Sequence, residues 1–135
     1  MNTFGVKIMQ LPSAYGLPMP AYPDEKSPGM ELCAAISTNL VSLRENERVN
    51  IPTGLIIDLP TGLEAQVRSI PENVENEGWG VLLGPMTIGA DKNKEIVVTL
   101  YNTSDKTIMI KRGTKIALLV VAPVAKVQWQ ELENA

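Results

Sequence analysis

The chain has 135 residues, of which 44% are hydrophobic and 20% charged, with a net charge of −3 and no histidine. A chain of this size buries about two thirds of its unfolded surface in one core, so residues 1–135 are expected to form a single domain. The acidic balance gives no reason to bind nucleic acid or an anionic membrane, and the missing histidines exclude a zinc-histidine site or a histidine-based triad.

The opening "MNTFGVKIMQLPSAYGLP" has no charged segment followed by a continuous apolar one, so no secretory signal is visible. Residues 11–28, "LPSAYGLPMPAYPDEKSP", carry five of the ten prolines and are expected to run extended over the surface. Cys33 follows in "LCAAI"; a single cysteine cannot close an internal disulfide, and it reads as a small buried hydrophobe in a reducing compartment.

From Asn50 the run "NIPTGLIIDLPTGLEAQVRSI" alternates. Leu55, Ile57 and Leu59 fall on one face, a turn follows at Pro60-Thr61-Gly62, and Leu63, Ala65 and Val67 alternate again. The repeated "PTGL" at Pro52 and Pro60 reads as two similar turns. "NVENEGWG" holds at most a turn or two of helix. "KEIVVTLYN" and "TIMIKR" read as a hairpin across the turn-forming residues 102–105, and "KIALLVVAPV", apolar on both faces, as a central or interface strand. Its apolar run is too short to span a bilayer. Many short strands with proline-laced connections indicate an all-β jelly roll or β-sandwich.

Four segments carry a resemblance: "GLPMPAYPDEKSPGMELCAA", "IPTGLIIDLPTGLEAQVR", "GVLLGPMTI" and "IKRGTKIALLVVAPV". Together they resemble the trimeric dUTPases, which convert dUTP to dUMP and pyrophosphate with magnesium, and the likeness runs from residue 6 to about 131. It implies a β-clip jelly roll and a homotrimer whose C-terminal strand reaches a neighbour, with three sites at the interfaces. Val120, Val121, Val124 and Trp129 are then the expected interface, the alternative being that Trp129 covers its own core.

The motifs that the resemblance marks as catalytic depart from the family pattern. The first reads Pro28-Gly29-Met30-Glu31-Leu32, with Glu31 where the family has Asp. The family's phosphate-holding arginine and serine correspond to Ile70 and Pro71, which offer no side-chain donor. The family's water-activating Asp corresponds to Gly89, and its sugar-stacking tyrosine to Lys92. An asparagine that reads uracil corresponds to Leu83, and a glutamine near the phosphates to Leu118. The Gly-rich fifth motif is absent from the arm 125–135.

These departures lead to the expectation of a catalytically inactive homotrimer, a structural or interaction protein such as a capsid decoration protein, located in the cytoplasm or a virion. No cofactor is expected, and the changed acids argue against magnesium. One alternative is a non-catalytic nucleotide binder, with Arg68, Asp91, Lys92 and Lys94 as candidate contacts. A second is a working hydrolase with relocated acids drawn from Glu31, Asp91 and Glu95. The stretch "TIGADKNKEI" reads as a strand-turn-strand connection in which Lys92, Lys94 and Glu95 form a solvated face. Trp79 is either an exposed anchor for a protein partner or local packing.

Overall fold

The computed structural model describes residues 3–91 and 93–133. Its ten strands are β1 (Lys7–Gln10), β2 (Met30–Cys33), β3 (Leu40–Leu43), β4 (Arg48–Asp58), β5 (Leu63–Arg68), β6 (Trp79–Val81), β7 (Met86–Ile88), β8 (Glu95–Asn102), β9 (Ile108–Lys111) and β10 (Lys115–Pro123). A single helix element, α1 (Pro71–Glu77), lies between β5 and β6. The strands form one four-stranded sheet in the order β1-β4-β8-β6, a second in the order β2-β10-β5-β7, and a two-stranded ribbon β3-β9. The all-β sandwich expected from the sequence is the architecture observed.

The alternation of β4 and β5 places both in one core. Leu55, Ile57 and Leu59 are buried from the first sheet, and Leu63, Ala65 and Val67 from the second. The turn at residues 60–62 therefore carries the chain from one sheet to the other; the two strands do not pair with each other. β10 lies between β2 and β5, hydrogen-bonded on both sides, which agrees with its apolar character.

Three local expectations need correction. The first "PTGL" is a bulge inside β4 rather than a turn: its register with β8 shifts between Pro52 and Ile56, and Gly54 has φ of +67°. A β-carbon there would lie 2.6 Å from Ala14 Cβ and 2.9 Å from the Ala14 backbone nitrogen, so the bulge is where the N-terminal segment seats. β8 and β9 form no hairpin, because β9 pairs with β3 and β8 with β4 and β6. The proline-rich segment is mostly exposed and strand-free as expected, but it contains a 3₁₀ turn at Pro12–Ala14. Arg112 holds that turn, donating from Nη1 to Ser13 O (2.6 Å) and from Nη2 to Tyr15 O (2.8 Å).

Asn102 explains why β8 does not turn straight back. Its fully buried amide donates to Leu43 O (3.0 Å) and Lys106 O (2.6 Å), and its oxygen accepts from the Ser104 N–H (2.9 Å) and hydroxyl (2.7 Å). This side chain ties the end of β8 to β3, and so fixes the crossing into the ribbon. Asn102→Ala leaves buried carbonyls unpaired, and the expected cost is about 2–4 kcal/mol. Denaturant unfolding measures it; a loss below about 0.5 kcal/mol, the range of an ordinary surface change, would show that the crossing does not depend on this amide.

Candidate active site

Two strand registers bring two of the motif positions and the candidate contact Arg68 into one row. Leu118 of β10 stands opposite Glu31 of β2 and opposite Arg68 of β5. Directly opposed residues share a face, and the chain neighbours Ala117 and Leu119 point into the core, so Glu31, Leu118 and Arg68 lie together on the outer face of the second sheet. In the next row Val120 faces Gln66, which faces Thr87 of β7.

A polar ladder runs along β5 on this face. Gln66 Nε2 donates to Glu64 Oε1 (2.9 Å), and Arg68 donates to Gln66 Oε1 from Nη2 (2.8 Å) and Nε (3.3 Å). The guanidinium is thereby held along its own strand with donors left over for an anion. The sequence reading named Arg68 and missed its supports. The signal was present as the alternation of Glu64, Gln66 and Arg68 through "GLEAQVR".

Glu31 is not a free acid: Lys115 Nζ donates to its Oε1 at 2.7 Å. The hydrogen bond first, and the carboxylate charge second, raise the Lys115 pKa above its ordinary 10.5. Cys33, opposite Lys115, is half-buried rather than buried; burial pushes its thiol up, the Lys115 ammonium opposes this, and Glu31 adds to it. The thiol therefore stays protonated near neutral pH, in keeping with the inert role read for it.

The other motif positions lie elsewhere. Ile70 is buried and precedes Pro71, the first residue of α1, where a fixed φ and a missing N–H suit a helix start. The pair forms the entry of a helix, with Ser69 Oγ accepting from the Val81 N–H at 2.8 Å. Ile88, the last residue of β7, is opposite Ala65, so Gly89 leaves the sheet at the Glu64 end of β5. The Arg68 end is four residues away, about 13 Å at the rise of a strand. One chain thus separates the Glu31–Leu118–Arg68 row from the Gly89–Asp91 turn.

Asp91 and Lys94 are exposed, and Lys92 lies outside the described residues. Glu95 is not part of a solvated face, because its Oε2 accepts from the Gly54 N–H at 2.9 Å and closes the β4 bulge. Trp79 is no exposed anchor. It is 3% exposed, packed in the core, with its indole N–H directed to Glu77 Oε1 at 3.4 Å; the flanking glycines of "EGWG" let β6 sit close to its neighbours and so draw the ring inward. Leu83 instead rims an open groove of about 430 Å³ with Arg48, Asn50 and Thr99 on the first sheet, away from the row.

β10 is paired on both sides within its own chain, so it is not itself free for exchange; Val120, Val121 and Val124 are half-buried. Beyond Val124, whose N–H donates to Gly62 O, the segment 125–133 has no regular secondary structure, and Trp129 is 87% exposed.

Among the described residues no three acidic, cysteine or histidine side chains converge as a metal cage. Magnesium is commonly held by one or two carboxylates together with substrate phosphates and waters. The phosphates of a nucleotide would supply part of such a coordination shell themselves. No helix among the described residues is long and apolar enough to cross a membrane.

The two-sheet sandwich, with a polar ladder on the outer face of its second sheet, is an all-β fold of a family that known proteins identify. The dUTPase family pattern matches residues 16–135, and the chain belongs to the dUTPase family. The deoxyuridine 5'-triphosphate nucleotidohydrolase of Anaplasma marginale is 42% identical over 129 residues, spanning 96% of this chain and 87% of that protein. That of Aquifex aeolicus is 44% identical over 128 residues, spanning 95% and 85%. Among solved structures, a dUTPase from phage phi11 of S. aureus superposes with a TM-score of 0.82 at 16% identity, over 98% of both chains. A mutant of the phi11 enzyme, whose structure concerns coordination of a structural Mg(II) ion, superposes with a TM-score of 0.80 at 17% identity, over 97% and 98%.

These findings overturn the expected function. A catalytically inactive capsid decoration protein is contradicted by relatives 38–44% identical, over at least 95% of the chain, that are nucleotidohydrolases. The leaning against an enzyme falls with it. So does the expectation that no cofactor is used, since those relatives are dUTPases and a fold neighbour coordinates Mg(II). The departures at the motif positions, although they occur together, do not outweigh a near-complete alignment with nucleotidohydrolases.

The raised Lys115 pKa fixes a sign. The folded state holds this proton more tightly, so the contribution is fully present below about 10.5 and is lost as pH rises through the folded value. Glu31→Gln is expected to return the Lys115 titration toward its ordinary value, read by NMR of the side-chain amine. Stability at pH 7 should change little, because the pair is solvent-exposed. An unchanged titration would show that the contact does not persist in solution.

Proposed function

We propose that the chain is a dUTP pyrophosphohydrolase of the dUTPase family, a single domain acting as a homotrimer on the magnesium complex of the nucleotide in the cytoplasm. The observation that carries this reading is the near-complete alignment with deoxyuridine triphosphate nucleotidohydrolases at 38–44% identity. Water would add to phosphorus while the bond to pyrophosphate breaks, giving dUMP and pyrophosphate. Arg68, held by Gln66, is the phosphate-facing cation on the outer face of the second sheet.

The departures at Glu31, Ile70, Pro71, Gly89, Lys92 and Leu118 then bear on how well the reaction runs. Ile70 and Pro71 supply no side-chain donor, and loss of one preorganised donor costs about 10²–10³ in kcat. Slow turnover and weak substrate binding are expected.

Trimer formation is supported by the separation of the row from the turn, since a complete site needs a second copy to bring Gly89–Asp91 beside Glu31–Leu118–Arg68. The exposed apolar side chains of Val127, Trp129 and Leu132 on the C-terminal segment support it as well.

The test is release of pyrophosphate from dUTP with magnesium, beside dCTP, dTTP and UTP, and thermal unfolding with each. Saturation to about 100 times Kd adds about 2.7 kcal/mol to the native state, so dUTP should raise the midpoint selectively and be the nucleotide turned over. Absence of pyrophosphate above the enzyme-free rate would overturn the reading. For the trimer, sedimentation should give three copies, and Trp129→Ala should weaken association by about 2 kcal/mol if the ring is an interface anchor. A monomeric parent chain would overturn that part.

A further inference from the structure

The outer face of the first sheet carries a groove of its own. Ile51, Val98, Leu100 and Asn102 are buried, so alternation turns Arg48, Asn50, Thr99 and Tyr101 outward. Arg48 stands opposite Tyr101, and Asn50 opposite Thr99. Beside them the Leu82 N–H donates to Thr99 O at 2.9 Å, which brings the exposed Leu82 and Leu83 to the same face. The groove of about 430 Å³ is lined by Arg48, Val49 and Asn50 of β4, Thr99 of β8 and the two leucines that follow β6. Small-molecule sites span about 300–1,000 Å³. The groove continues past Leu82 into a recess of about 240 Å³ over Gly80 and Tyr101, bounded by Val74 of α1.

The polar groups decide what such a trough can hold. Thr99 donates its hydroxyl proton to Asn50 Oδ1 at 2.7 Å, which fixes the amide and leaves its two N–H groups as donors. Arg48 adds a planar fork of N–H donors and, among the described residues, forms no ion pair. The hydroxyls of the recess are engaged elsewhere: Ser69 Oγ accepts from the Val81 N–H, and Thr103 Oγ1 donates to Gly78 O. The trough therefore has a cationic, donor-rich side on β4 and an apolar side formed by Leu82, Leu83 and Val74. A cation beside directed donors, facing apolar walls, recognises an oxyanion carried on an apolar body.

We propose that this trough is a second small-molecule site, taking an organic acid whose carboxylate or phosphate is held by Arg48 and Asn50 while its apolar body lies against Leu82 and Leu83. It does not rest on the hydrolase reading, because the row of Glu31, Leu118 and Arg68 lies on the outer face of the other sheet.

The experiment titrates the isotopically labelled full-length protein with benzoate, phenyl phosphate, acetate and inorganic phosphate, following backbone amide signals by NMR with and without saturating magnesium dUTP. Benzoate or phenyl phosphate should shift the signals of residues 48–50, 82–83 and 99 saturably. Binding should be at least about tenfold tighter than that of acetate or inorganic phosphate, because the ring is buried against the leucines. The tighter of the two ring compounds names the oxyanion. Arg48→Gln should weaken binding at least about tenfold, as loss of a hydrogen-bonded charge does, and Leu83→Ser should remove the advantage of the ring. Both positions are exposed, and thermal unfolding verifies that each variant folds. Parent-like affinity in Arg48→Gln would overturn the proposal, as would the absence of saturable shifts at these residues. Displacement of the ring compound by magnesium dUTP would place the trough within the substrate site and overturn it too. Absence of dUTP turnover overturns the hydrolase reading and leaves this proposal in place.

Discussion

Leu55, Ile57, Leu59, Leu63, Ala65 and Val67 share one buried core although a sheet boundary runs between Leu59 and Leu63. The rest of the structure depends on that sharing. Two amphipathic strands joined by a three-residue turn have two ways to bury their apolar faces: pair side by side in one sheet, or face each other from two. Facing each other buries both stripes against one another and leaves the edges of β4 and β5 open for other strands. β1 and β8 take the edges of β4, and β10 and β7 take those of β5. The outer face of the second sheet is then free of core duty, and alternation leaves Glu64, Gln66 and Arg68 pointing out along it.

That sharing also shows where the sequence was legible. Alternation at period two is local, so Leu55–Leu59 and Leu63–Val67 declared themselves as strands, and the apolar run of β10 declared a strand covered on both sides. Pairing is not local. Residues 102–105 have the composition of a hairpin turn, and nothing in their immediate neighbours says otherwise. What redirects the chain is the buried Asn102 amide bonding to Leu43, whose position is set by a strand 59 residues earlier in the chain. Likewise "PTGL" occurs twice with opposite outcomes. At Pro60 it links sheets; at Pro52 the same letters bulge within β4, because Glu95 supplies an acceptor for the Gly54 N–H and Ala14 packs onto the glycine.

The site was legible in part for a related reason. The resemblance marked Glu31 and Leu118, and Arg68 was read separately as a candidate contact; only the strand registers place the three side by side. Aligned positions do not report where a neighbouring side chain folds. Gly89 reads as an absence in the sequence, yet in space an Asp91 oxygen lies 2.9 Å from where its β-carbon would stand. Trp79 shows the reverse case: a tryptophan between glycines invites an exposed reading, but a strand of three residues hydrogen-bonded to β8 turns the ring into the core.

The length of β5 finally connects fold to chemistry. Its Arg68 end carries the cation and its Glu64 end borders the turn that carries Asp91, about 13 Å apart at the rise of an extended strand. No rotamer of either side chain closes that distance, and the strand between them is locked by β10 on one side and β7 on the other. Bending β5 to bring them together would break the core that its inward residues share with β4. In the proposed assembly a second copy, presenting its own turn to this row, would join the two halves with both cores intact. In the proposed trimer this contact would be repeated three times, with the exposed Val127, Trp129 and Leu132 beyond Val124 as a further point of contact. The way the sandwich distributes its polar faces is what makes association the economical arrangement for such a site.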